Sequence, residues 1–199
     1  MVLPKAIGRV LKAFPAAGMY ATDFDGFFEC LQSYETLTDI AAVAKYNPSN
    51  QIEVSPLRYL LFALEAHLNE FYIFTERLRI WLVHLQRRYR KNAQFDTINA
   101  TLVKALGAIN AEAAPIRTSR GRHVHTERYF GRSHPLRRMS LHPAAPDHLP
   151  ASRRECKRIK VRELREIRRR NHTALRLLKH AAEAVARALI RPDGSWLVP

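Results

Sequence analysis

Residues 56–91 read PLRYLLFALEAHLNEFYIFTERLRIWLVHLQRRYRK. Apolar side chains fall at Leu57, Leu61, Leu64, Leu68, Phe71, Leu78, Leu82, Leu85 and Tyr89, in steps of four and three, with Thr75 the polar member of the series. That spacing predicts one helix over about residues 56–91, roughly 50 Å long at 1.5 Å per residue. Ser55 supplies an N-cap and Pro56 a first-turn proline. A second row at Leu60, Phe74 and Trp81 widens the apolar stripe, so the helix must pack against more than one neighbour. His67 and His84 lie near the seam and read as hydrogen-bonded packing residues. The run QRRYRKN at 86–92 reads as a solvated helix end, where cations complement the helix dipole.

Working outward, DFDGFFECLQSYETLTDIAAVAKY (23–46) carries Phe24, Phe27, Phe28, Leu31, Tyr34, Leu37, Ile40 and Ala41 at helical spacing. Residues 94–113 repeat the pattern with Phe95, Ile98, Leu102, Leu106 and Ile109, and Pro115 is expected to end that helix and begin the next. The four prolines of 131–152 and the lack of periodicity there predict a long exposed loop. From Arg153 to Ile190 the chain reads as helix, with a seam at Leu175, Leu178, Ala182, Val185 and Leu189. Continued backwards, the seam meets Asn171, Arg168 and Leu164, so the helix either leaves the core or lines a polar site there. Strand patterns are scarce throughout. The expected architecture is all-α, an antiparallel bundle of four to five helices in a single domain spanning 1–199.

No run of eighteen uncharged apolar residues occurs, so no membrane association is expected. Cys30 and Cys156 stand far apart and form no CxxC spacing, and Lys5, Arg9 and Lys12 break the N-terminal apolar run; a reducing cytoplasm is the expected location. Net charge is +15, unevenly held. Residues 1–115 carry 12 Lys/Arg against 11 Asp/Glu, whereas residues 116–199 carry 21 against 7. Clustered cations of this kind favour a polyanion, because neutralising phosphates releases counterions.

The most concentrated stretch is IRTSRGRHVHTERYF at 116–130, with Arg117, Arg120, Arg122, Arg128, His123 and His125 beside a single acid, Glu127. Arg120 and His125 enclose four residues. This R-GRHV-H element, following several amphipathic helices, resembles the R-x(4 to 6)-H element of HEPN domains. The resemblance implies a small all-α bundle, RNA as partner, metal-independent endoribonuclease activity with no cofactor, and a homodimer whose two copies complete the site. It also implies a toxin–antitoxin setting, in which a partner protein often silences such activity. Active members usually follow the arginine with a polar residue, where this chain has Gly121. A second spacing, Arg117 to His123, has Thr118 in that place.

The chemistry follows from the residue types. Cleaving RNA through its own 2′-hydroxyl needs a base, an acid and cationic donors for the phosphorane, roles that histidine and arginine can fill. Flanking arginines keep an imidazole neutral by repelling its charged form, and a guanidinium grips phosphate through two parallel hydrogen bonds. On one helix, positions 120 and 125 stand about 140° apart, so a joint site calls for two helices. On a strand, His123, His125 and His134 would suit zinc, but the surrounding arginines oppose a dication and no metal is expected. The same surface would also serve a non-catalytic nucleic-acid-binding or protein-interaction module. A second basic cluster holds Arg165, Arg168, Asn171 and His172; either a solvated helix face or a groove tracking phosphates fits it.

Overall fold

The computed structural model describes residues 5–13, 21–45, 56–125, 150–197 and 199. Among these the protein is an all-α bundle of five helices: α1 (Lys5–Ala13), α2 (Ala21–Val43), α3 (Pro56–Arg88), α4 (Phe95–His125) and α5 (Pro150–Leu189), with a 3-10 turn at Tyr89–Lys91 after α3. None of the described helices is long and apolar enough to cross a membrane. The seam of α3 is buried as its spacing required, from Leu64 through Leu85 to Tyr89, and Thr75 is buried with it. Phe62 and Ile80, off the stripe, are exposed.

Two elements differ from the sequence reading. The sequence reading assigned no helix ahead of residue 23, whereas α1 is a nine-residue helix with Ile7, Val10 and Ala13 buried and Lys5, Arg9 and Lys12 on its outer face. Pro115 does not divide α4, which runs unbroken to His125. A proline inside a helix forfeits one hydrogen bond to the carbonyl four residues back. Here that carbonyl belongs to Ala111, and both Ala111 and Pro115 are exposed, so water can serve the carbonyl. The exposed loop expected at 131–152 lies outside the described residues except for 150–152, which instead begin α5.

The chain forms two compact units. Unit 1 comprises Met1–Tyr34, Ile73–Ala114 and Thr173–Pro199. Its α2 and α3 run antiparallel: near one end Asp23 meets His84 and Arg88, and further along Arg77 donates to Ser33 Oγ at 2.6 Å. Trp81 packs against Phe27 with ring centroids 5.1 Å apart, and its Nε1 donates to the Asp23 carbonyl at 2.7 Å. Gly26 makes room for the indole: a Cβ there would stand 2.8 Å from Trp81 Cδ1.

The Asp23 side chain is wholly buried, with Oδ1 3.0 Å from Arg88 Nε and 3.2 Å from His84 Nε2. Burial pushes this carboxyl above its ordinary range, and the Arg88 guanidinium and the hydrogen bond to His84 hold it back. Beyond α5 the chain turns through Arg191–Gly194, with Gly194 in the left-handed region at φ 84°. It then doubles back so that Trp196 pairs with Ile190 and packs on Phe24 at 4.7 Å, while Tyr89 Oη donates to the Leu197 carbonyl at 2.8 Å.

Unit 2 comprises Glu35–Tyr72 and Pro115–His172. Its core gathers Ala41 and Ala44 of the α2 end, Leu60, Ala63 and Leu64 of α3, and Ile159 and Ile167 of α5, with Leu61 and Leu164 packed against it. Three of these are alanines, which let the helix backbones approach closely.

Candidate nucleic-acid interface

The first half of α5 is amphipathic in an unusual way, because its outer face is cationic instead of mixed. Counting 100° per residue, Ile159, Glu163 and Ile167 form the buried side. Arg154, Lys157, Arg158, Arg162, Arg165, Arg168, Arg169 and His172 are all exposed and fall within about 80° of the opposite direction. The stripe runs roughly 27 Å at 1.5 Å per residue. A groove of about 490 Å³ lies along it, lined by Arg154, Lys157, Arg158, Val161, Arg162 and Arg165.

The acids of this segment whose side chains are described, Glu163 and Glu166, sit beneath or to the side. Glu163 is buried and accepts from Arg162 at 2.8 Å, and Glu166 takes Arg169 at 3.0 Å and Arg170 at 3.3 Å. Arg154, Lys157, Arg165 and Arg168 form no ion pair with an acid among the described residues. Pairing of an exposed kind contributes little to folding, so cations left without it are open to an external anion.

Behind the stripe lies the polar site that the broken seam of α5 announced. His67 occupies the second row of α3, seven residues from both Leu60 and Phe74, and is fully buried. Its Nε2 stands 2.7 Å from Asn171 Oδ1, and Asn171 Nδ2 donates to the Leu37 carbonyl at 3.4 Å. Because the amide nitrogen already faces Leu37, the amide oxygen faces His67, and the imidazole must donate from Nε2. Nδ1 is then left as a buried acceptor without a partner. Adding a proton there would bury a charge with nothing to receive it. Burial first, and the Arg170 guanidinium second, hold His67 down to about 4, against the opposing pull of Asn171 and Glu166.

This has a measurable consequence. The unfolded chain takes up the His67 proton near the ordinary imidazole value of about 6.5, the folded chain only near 4. Between those limits the unfolded state binds more protons, so His67 stability is complete above about pH 6.5 and is lost as pH falls to about 4, a change of about 3 kcal/mol. Urea unfolding at pH 7 and pH 4.5 should show that loss in the wild type and a clearly smaller one in His67→Leu. Equal losses in both proteins would contradict it.

Of the residues singled out in the sequence, Arg165, Arg168 and His172 share the exposed face of α5, and Asn171 turns inward to His67 and Leu37. Arg117, Arg120, Arg122, His123 and His125 are carried by the last turns of α4, where the helical backbone sets positions 120 and 125 about 140° apart. Their side chains, and Arg128 with Tyr129, Phe130 and His134, lie outside the described residues. His84, half-exposed, bonds to Asp23, and Arg88 of the QRRYRKN run serves the same carboxyl. No group of three His, Cys, Asp or Glu among the described residues is arranged to hold a metal.

Sequence reasoning missed Lys45 and, on the α5 stripe, Arg154, Lys157, Arg158, Arg162 and Arg169. Lys45 follows α2 directly. Projecting 153–172 onto a helix would have found the stripe; nothing local marks Lys45. Neither a family model, nor a curated protein, nor a solved structure matches the chain.

Proposed function

We propose that the chain is a HEPN-like RNA-binding protein that lays single-stranded RNA along the α5 stripe and cleaves it without metal, using Arg120 and His125 at a homodimer interface. Arg117 and His123 form the alternative pair, with Arg122 and Arg128 as further phosphate contacts. The observation that carries RNA binding is the exposed stripe with its 490 Å³ groove, in which five of six lining residues are cationic. A groove of that character attracts phosphates whatever their sequence and makes affinity fall with salt. RNA, in preference to another polyanion, rests on the R-x4-H resemblance, as do the dimer and an inhibitory partner protein.

A second reading keeps the bundle and the stripe without turnover. It is favoured by Gly121, which stands where active members of that family usually carry a polar residue.

Binding is tested with the triple variant Arg154→Gln, Lys157→Gln, Arg165→Gln. For single strands each lost phosphate contact removes about 0.7 from the slope of log affinity against log salt, so the slope should fall by about 2 and affinity by about 10- to 100-fold at moderate salt. Fluorescence anisotropy with a labelled oligoribonucleotide reads both. An unchanged slope would move RNA off this face, and no binding even at low salt would remove RNA from the proposal.

A further inference from the structure

A second, smaller cavity of about 240 Å³ opens in unit 2 between the α2 end and α5, lined by Thr38, Ala41, Ala42, Lys45, Leu164, Ile167, Arg168, Asn171 and His172. Its lining contains two permanent cations and an imidazole and no acid. Lys45 and Arg168 make no ion pair with an acid among the described residues. Thr38 has its hydroxyl hydrogen committed to the Glu35 carbonyl at 2.7 Å, so it cannot donate to a guest. Asn171 is held from behind by His67 and by its own bond to Leu37. The donors left for an anion are therefore Lys45 Nζ, the Arg168 guanidinium, the His172 ring and the second N–H of Asn171 Nδ2. Ala41, Ala42, Leu164 and Ile167 supply apolar surface beside them.

We propose that this cavity binds a phosphate monoester carried on one nucleotide, the terminal phosphate of an RNA strand or a free nucleoside monophosphate. Charge argues for a monoester over a diester. A monoester carries about −1.5 to −2 at neutral pH against −1 for an internal phosphate, and two fixed cations with no acid match the former. Size limits what is enclosed: the cavity lies below the roughly 300–1,000 Å³ of pockets that bury a drug-sized ligand, so it takes the phosphate and part of one nucleotide and leaves the rest outside. Rigidity argues for a formed site. Arg168 and His172 flank Asn171, and the Asn171 bonds to α3 and α2 fix that turn of α5, so the cationic rim is set before a ligand arrives.

The terminal-phosphate form of the proposal rests on the RNA-binding reading; the mononucleotide form does not. Lys45 is off the α5 stripe, and the cavity is untouched by the triple variant described above, so the two ideas separate. The experiment compares one oligoribonucleotide bearing a 5′-phosphate, a 3′-phosphate or hydroxyl ends, together with adenosine monophosphate and inorganic phosphate alone, on wild type, Lys45→Gln and Arg168→Gln.

The expected result is at least fivefold tighter binding of one phosphorylated strand than of the hydroxyl strand. That preference is lost in Lys45→Gln, which still binds the hydroxyl strand as wild type does. Monophosphate binding that needs Lys45 and Arg168, in a protein that holds no RNA, would support the cavity as a free-nucleotide site while overturning the RNA reading. Equal affinity for all three strands with no saturable monophosphate binding would overturn the proposal. So would a preference that survives both substitutions, because the phosphate would then sit elsewhere.

Discussion

Trp81→Ala is expected to destabilise unit 1 by about 4 kcal/mol, within the range of about 3–5 kcal/mol for truncating a buried tryptophan or phenylalanine. The indole is 1% exposed, packs on Phe27 at 5.1 Å and fills the notch above Gly26, which has no side chain of its own to occupy the space left behind. Its N–H also bonds the Asp23 carbonyl, a group that α2 already employs in its own backbone ladder. Trp81→Phe keeps most of the ring and forgoes that one bond, so it should cost about 1–2 kcal/mol. Urea unfolding followed by circular dichroism and by Trp196 fluorescence measures both. A loss under about 1.5 kcal/mol for the alanine variant would mean that neighbouring side chains collapse into the space.

On the proposed ribonuclease reading, His125→Ala is expected to lower turnover by at least about 100-fold, the lower end of what a positioned acid or base contributes. Cleavage of labelled RNA in EDTA is the measurement. Positions 120 and 125 stand about 140° apart on α4, so on the proposed reading a working pair draws its arginine from one copy and its histidine from the other. Mixing Arg120→Ala with His125→Ala should then restore part of the activity that each lacks alone. Full activity in His125→Ala would assign the cleavage to His123 or to a contaminant. Intact RNA with the wild type, at concentrations where it binds, would leave the non-catalytic reading.

The fold was legible wherever burial repeats along one helix. The α3 seam and the α5 seam each placed their helices to within a few residues, since both faces of a long amphipathic helix repeat many times over. Nine-residue α1 was missed because two turns, with Ile7, Val10 and Ala13 as their buried positions, offer too few repeats to establish a period. Pro115 was assigned as a break on a local rule that yields when the orphaned carbonyl faces water. At the candidate site, the cations of α5 could be read directly from the sequence, and the polar gap in its seam was visible as a gap. Its filling was not: the partner of Asn171 lies 104 residues away on α3. The same holds for the Lys45 cavity, which needs the α2 end beside α5 and so belongs to tertiary structure alone.

Asp23 contacts three positions of α3, through its carbonyl at Trp81 and its carboxyl at His84 and Arg88. Leucines and alanines are interchangeable to a sliding neighbour, but these three polar partners are not. Shifting α3 by one turn, about 5.4 Å, would bring Arg77 or Leu85 where the indole stands and Ile80 or Arg88 where the imidazole stands. One acidic residue thus indexes the α2–α3 pairing in unit 1, and the apolar contacts around it can tolerate exchange among themselves without loss of alignment.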